Sequence, residues 1–149
     1  MKIAIVNGPN MNLIGIRETQ FYGNVTWKQI DERLRGLAEE LQVELLIFQS
    51  NHEGEIVDFI HQHLTTLDGI VLNPAGLSKT GYSILDAMAS VGIPYVEVHM
   101  SNIFERGGWH AQSIFFENAI GHVIGLKGFS YELGLRGMKQ YLDEKLASN

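Results

Sequence analysis

Residues 2–6, KIAIV, are apolar, rich in β-branched side chains and free of polar alternation, and Asn7-Gly8-Pro9 ends the run. A strand without a polar face is buried on both sides, which is the habit of a parallel sheet. Residues 43–48 (VELLIF), 69–73 (GIVLN) and 95–98 (YVEV) have the same character, and residues 122–126 (HVIGL) read as a short fifth strand. Helical spacing fills the intervals. Ile30, Leu34, Leu37, Ala38 and Leu41 recur on one face, as do Ile56, Phe59, Ile60 and Leu64. Ile84, Leu85, Met88 and Ala89 mark a third helix, and residues 130–147 a last one. Thr26-Trp27-Lys28-Gln29 and Ser50-Asn51-His52-Glu53 have the form of capping boxes. Gly134 and Gly137 weaken the last helix, so close packing is expected there. Residues 103–119 read only as loop with helical turns.

Strand and helix alternate throughout. Right-handed crossovers then put helices on both faces of a parallel sheet. The expected fold is α/β: a flavodoxin-like three-layer arrangement, five parallel strands in the order 2-1-3-4-5, in a single domain spanning 1–149. Ligands in such folds bind beyond the carboxyl ends of the strands. The unusual polar residues fall there: 7–10, 73–80 and 99–102.

Composition narrows the function. The chain has 149 residues, 45% of them hydrophobic, enough for one core without staples. It has no cysteine, which excludes disulfides and thiolate chemistry and is compatible with a reducing cytoplasm, the expected location. A net charge of −6 argues against a nucleic-acid surface, and no run is long enough to span a membrane. No GxGxxG or Walker pattern follows the first strand. His61 and His63, two apart on a helix, do not face each other, and no metal site is read.

The stretch 7–23, NGPNMNLIGIRETQFYG, is long, irregular and polar, and loops of this kind are often functional. Tyr22 is a poor base near neutrality, but a cation within reach favours its phenolate, and Arg17 or Arg106 can supply one. The alternative is a packed tyrosine beside a solvated arginine. Glu97 and His99 are two apart on a strand and so share a face. A carboxylate beside imidazole fixes its tautomer, as a general acid requires; a strand-end histidine is the plainer reading. Ser101 and the backbone after it suit a carboxylate or a simple turn. Asn73, ending a buried strand, needs hydrogen bonds from a ligand or, the favoured reading, from a turn.

Taken together, the segments NGPNMNLIGIRETQFYG, QSNHEGEIVDFIH, VLNPAGLSKTGYSILDA, VEVHMSN and VIGLKGFSYELGLRGM resemble the type II 3-dehydroquinate dehydratases. They occur in that family's order and cover nearly the whole chain. The resemblance implies a lyase of the shikimate pathway, leading to chorismate and aromatic amino acids. Its reaction is the cofactor-free anti elimination of water from 3-dehydroquinate, through an enolate, to give 3-dehydroshikimate. By motif, Tyr22 corresponds to the base, with Arg17 its activator on a mobile lid; residues from about 13 to 23 are the expected lid, with Gly15 and Gly23 as candidate hinges. Arg106 corresponds to a second arginine, Asn10 to the holder of a water at the enolate oxygen, His99 to the general acid and Glu97 to its partner. Asn73, Met100 and Ser101 correspond to substrate contacts, and Asp86 to an acid reaching a neighbour's site across a trimer interface. The implied assembly is a dodecamer, a tetramer of trimers, with no metal.

Two positions depart from the family pattern. Lys79 stands between Ser78 and Thr80 where a histidine is usual, and His110 where an arginine usually follows an aromatic residue, three before a serine. Both belong to substrate recognition, and an ammonium only donates where a histidine also accepts. Alternatives to the dehydratase are therefore the same mechanism on a related cyclic hydroxy-keto acid, or a low-activity or binding paralogue.

Overall fold

The computed structural model describes residues 1–16 and 24–148. Arg17, Tyr22 and the proposed hinge Gly23 lie outside the described residues, and with them most of the expected lid. Five parallel strands form the sheet: β1 (Lys2–Asn7), β2 (Glu44–Gln49), β3 (Gly69–Asn73), β4 (Tyr95–His99) and β5 (Gly121–Ile124), in the order β2-β1-β3-β4-β5. This is the order expected from the alternation of strands and helices. The helices are α1 (Trp27–Leu41), α2 (Glu53–Gln62), α3 (Tyr82–Val91), the single turn α4 (Ile103–Arg106) and α5 (Phe129–Ala147).

The sheet divides two cores, which explains the missing alternation in KIAIV. Ile3 and Ile5 pack with Ile30, Leu34, Leu135 and Met138 of α1 and α5. Ala4 and Val6 pack with Ile56, Ile60, Ile84 and Met88 of α2 and α3. Each fully buried Ile or Leu contributes about 1.5–3 kcal/mol of transfer free energy, so both strand faces are needed. In β4 the same period sends Val96 and Val98 to the first core and leaves Tyr95, Glu97 and His99 on the other face.

Local chemistry sets the helix starts. The Thr26 hydroxyl accepts from Gln29 N at 3.3 Å, and Gln29 Oε1 accepts from Thr26 N at 2.9 Å, so the first capping box is made. The second is not. α2 starts with His52 as N-cap. Ser50 Oγ accepts from His52 N and donates to Glu55 Oε2 at 2.5 Å, while Glu53 reaches across to Ser83 N of α3 at 3.0 Å. The serine sits two residues too early to cap. Within α5, close packing holds at Gly134, where a Cβ would meet Val98 Cγ1 at 2.7 Å, but not at Gly137, which has open space. Residues 103–119 contain short helical turns; the Asn102 side chain starts α4 by accepting from Phe104 N and Glu105 N.

The register matters for the site. Asn7 pairs with Asn73 at the ends of β1 and β3, and His99 pairs with Ile124 beside them. Three strand ends therefore open onto one rim.

Candidate active site

Three buried polar groups build the floor. Tyr131 of α5 is fully buried, and its hydroxyl donates to Asn7 Oδ1 at 2.6 Å while accepting from Asn73 Nδ2 at 2.8 Å. Asn73 Oδ1 accepts from Ala75 N at 3.2 Å, so its side chain is used in a turn, as the favoured sequence reading had it. Ala75 is held at a φ of 50°, the left-handed region that side chains rarely adopt. The adjoining β1 loop is fixed as tightly. Gly8 N donates to Asn73 O at 2.8 Å, and a Cβ on Gly8 would lie 2.2 Å from Pro74 O. Asn10 also has positive φ, 67°, and its N–H donates to Asn51 Oδ1 at 2.9 Å. Asn51 thus comes from the second segment to pin the first.

Above this floor lies a cleft of about 710 Å³. Asn10 and Asn73 line it from the ends of β1 and β3, and Lys79 from the 3-10 turn after β3. His99, Met100 and Ser101 line it from the end of β4. Arg106 and His110 close the far side. Eight of the twelve residues singled out from sequence therefore share one cavity. Glu97 stands one layer behind, fully buried, with Oε1 2.8 Å from His99 Nε2. Asp86 is exposed on α3 and does not line the cleft of its own chain. Arg17 and Tyr22 lie outside the described residues.

The electrostatics are mixed by design of the fold. Lys79 Nζ donates to Ser78 Oγ at 2.5 Å and to His110 O at 3.5 Å, and lies 5.4 Å from the Trp109 ring centroid. Burial lowers its ammonium below the usual lysine range; the Glu97 carboxylate works against that, and the Arg106 guanidinium adds to it. Trp109 stacks on His110 with ring centroids 3.8 Å apart. Behind the cleft, burial and the Glu97 carboxylate raise the Tyr95 phenol, which stays a neutral donor to Phe115 O at 2.6 Å. The whole offers two cations and hydrogen-bond donors to an anion, with an imidazole backed by a buried carboxylate. Among the described residues no group of three His, Asp or Glu could hold a metal ion, and no helix is long and apolar enough to cross a membrane.

The family model described as "Dehydroquinase class II" matches residues 1–139. The chain belongs to the class II dehydroquinases. A 3-dehydroquinate dehydratase of Aliarcobacter butzleri is 46% identical over 144 residues, covering 97% of this chain and 88% of that protein. One from Endomicrobium trichonymphae is 46% identical over 137 residues, covering 92% and 96%. The crystal structure of the type II dehydroquinase from Butyrivibrio crossotus superposes with a TM-score of 0.89 at 36% identity, covering 93% of this chain and 97% of that one.

Within this dehydroquinase, sequence reasoning passed over three residues that the structure ties to the site. Ser113 Oγ is 2.6 Å from Glu97 Oε1. Tyr131 joins Asn7 to Asn73, and Asn51 holds Asn10. Their partners are 16 to 124 residues away, so no local pattern announces them. The one available signal was a tyrosine on the buried face of a helix, whose hydroxyl must find a partner.

Proposed function

We propose that this protein is a hydro-lyase that converts 3-dehydroquinate to 3-dehydroshikimate without a cofactor, in the shikimate pathway. The observation that carries the reading is the buried Glu97–His99 pair, 2.8 Å apart, at the wall of a cleft that also holds Lys79 and Arg106, in a chain of this family. Tyr22, as phenolate, takes the C2 proton, and Arg17 stabilises that phenolate, with Arg106 adding to the field. The electron pair moves into the carbonyl and gives an enolate, whose oxygen is met by a water held by Asn10. His99 then gives a proton to the C1 hydroxyl as the C–O bond breaks and water leaves. The enolate collapses, restoring the carbonyl as the double bond forms between C1 and C2; Tyr22 then gives up its proton to solvent and the His99 imidazole takes one back, so both groups are reset. Ser101 and the Met100–Ser101 backbone bind the substrate carboxylate, and Lys79, His110 and Asn73 line the face toward its hydroxyls.

Incubation with 3-dehydroquinate, followed by enone absorbance, tests this. Turnover by the wild type, lost in Tyr22→Phe and in His99→Ala, is expected. No turnover at millimolar substrate, with wild type and Tyr22→Phe alike, overturns it.

A second reading is favoured by Lys79 and His110 meeting on one wall: the same elimination on a related cyclic hydroxy-keto acid. Lys79→His with His110→Arg then raises turnover of 3-dehydroquinate strongly, and no change from the pair counts against it. For the assembly, the exposed Asp86 on α3 supports a role in a neighbour's site, within trimers that build a dodecamer. Sedimentation at the mass of a dodecamer is the expected result. We place the enzyme in the cytoplasm, in keeping with a chain that carries no cysteine.

A further inference from the structure

Glu97 is the only carboxylate among the described residues with no exposed surface at all, and a buried carboxylate stays charged only when donors compensate it. Its two oxygens are used unequally. Oε1 meets both His99 Nε2, at 2.8 Å, and Ser113 Oγ, at 2.6 Å. Oε2 is buried and has no hydrogen-bond partner among the described residues. The direction of the serine bond is fixed by its other neighbour. Ser113 Oγ accepts from Phe115 N at 3.2 Å, so the single hydroxyl hydrogen is the one aimed at Glu97. A proton on Oε2 would be an O–H without an acceptor among the described residues, and a proton on Oε1 would share that oxygen with the Ser113 hydrogen already aimed at it. The arrangement suits an ionised, acceptor-only carboxylate.

We propose that Ser113 is a positioning residue: its hydroxyl fixes the Glu97 carboxylate so that His99 carries a hydrogen on Nε2 and presents Nδ1 to the cleft. This rests on the dehydratase reading, in which His99 is the acid. The transferable proton is then the one on Nδ1 of the imidazolium, while the Nε2–H stays on Glu97 throughout. Without the hydroxyl, Oε1 keeps only the His99 contact, and no second, independent bond holds the carboxyl group against turning. The imidazole loses its fixed tautomer with it. Partners of this kind behind a reacting histidine orient the ring and set which nitrogen is protonated. The plainer role for Ser113 is local: its bond to Phe115 N closes a turn at residues 113–115.

The test separates the two roles. Ser113→Ala lowers kcat about 10- to 100-fold with KM within about twofold, the scale of one hydrogen bond to a charged group. Ser113→Thr, which keeps the hydroxyl, recovers most of it. In a Glu97→Gln background, Ser113→Ala changes kcat less than about threefold, because the residue acts through the carboxylate. A loss of equal size in both backgrounds overturns the proposal and leaves the turn. Nitrogen-15 spectra of the histidine rings, taken without substrate, decide it independently of any activity. The neutral His99 ring shows the Nε2–H tautomer in the wild type and a mixture in Ser113→Ala; identical spectra overturn the proposal. Should Ser113→Ala not fold, Ser113→Cys keeps the volume with only a weak donor, and the same comparison with Ser113→Thr applies. A wild type inactive on 3-dehydroquinate would remove the dehydratase reading, while the ring spectra would still report on Ser113.

Discussion

Tyr131→Phe removes one oxygen from the floor of the cleft and nothing else. The ring contact with Trp27, edge-on at a centroid distance of 5.4 Å, survives. What goes is the donor to Asn7 Oδ1 at 2.6 Å and the acceptor for Asn73 Nδ2 at 2.8 Å. Both asparagines are buried, and Asn7 Nδ2 already has no partner among the described residues. A buried polar group left without its partner costs about 1–3 kcal/mol, and two are orphaned here. Partial relaxation brings the expected loss to about 2–4 kcal/mol, a large share of the ~5–15 kcal/mol typical of a domain. For a chain of this length that lowers Tm by about 5–15 °C. Urea titration is the assay: the midpoint falls while the slope m is unchanged, because the buried area is unchanged. Asn73 Oδ1 also anchors Ala75 N in its left-handed turn, so kcat/KM on the substrate falls severalfold as well. A loss under about 0.5 kcal/mol at constant m would show that the Asn–Tyr–Asn chain is not structural, and refute this account of the floor.

Three further predictions follow the same logic. Gly8→Ala forces a Cβ to within 2.2 Å of the Pro74 carbonyl oxygen, a backbone atom that cannot swing away, and should cost more than about 2 kcal/mol in urea unfolding. Thr26→Ala breaks the capping box of α1 and should cost about 1 kcal/mol by the same assay, with kcat unchanged. Lys79 has a folded-state value below that of the unfolded chain, so the unfolded state binds more protons as pH rises through that interval. Its burial therefore costs stability at neutral pH, and the cost is relieved as pH climbs toward the ordinary value of 10.5. Lys79→Gln should accordingly gain most over the wild type near pH 7 and lose that advantage near pH 10, read as the difference between urea midpoints.

The strands were legible because each is buried on both faces, and a run such as KIAIV has no other easy explanation. Strand order followed from connection rules that need only the sequence of elements. Boundaries were less legible. β5 stops at Ile124 because Gly125, at a φ of 95°, turns the chain and donates to His99 O at 3.0 Å, a contact with no trace in the local pattern. The capping motif at Ser50 failed for a similar reason: an S-x-x-E spacing does not say which residue begins the helix. The Glu97–His99 pair was visible because a strand's period of two brings the side chains to one face. Ser113 was not, because its role depends on how the irregular stretch after α4 folds back over β4.

The bond from Gly8 N to Asn73 O has a consequence for chemical lifetime. Asn-Gly is the dipeptide most prone to deamidate, because the glycine amide nitrogen attacks the asparagine side chain to close a succinimide ring. In this protein that nitrogen is tied to the neighbouring strand at 2.8 Å, and the Asn7 side-chain oxygen is held by Tyr131. Attack would require both to let go. Asn7-Gly8 is thus shielded while the chain is folded and vulnerable when it opens, so slow ageing of a stored sample at this bond would act as a clock for how often β1 leaves the sheet.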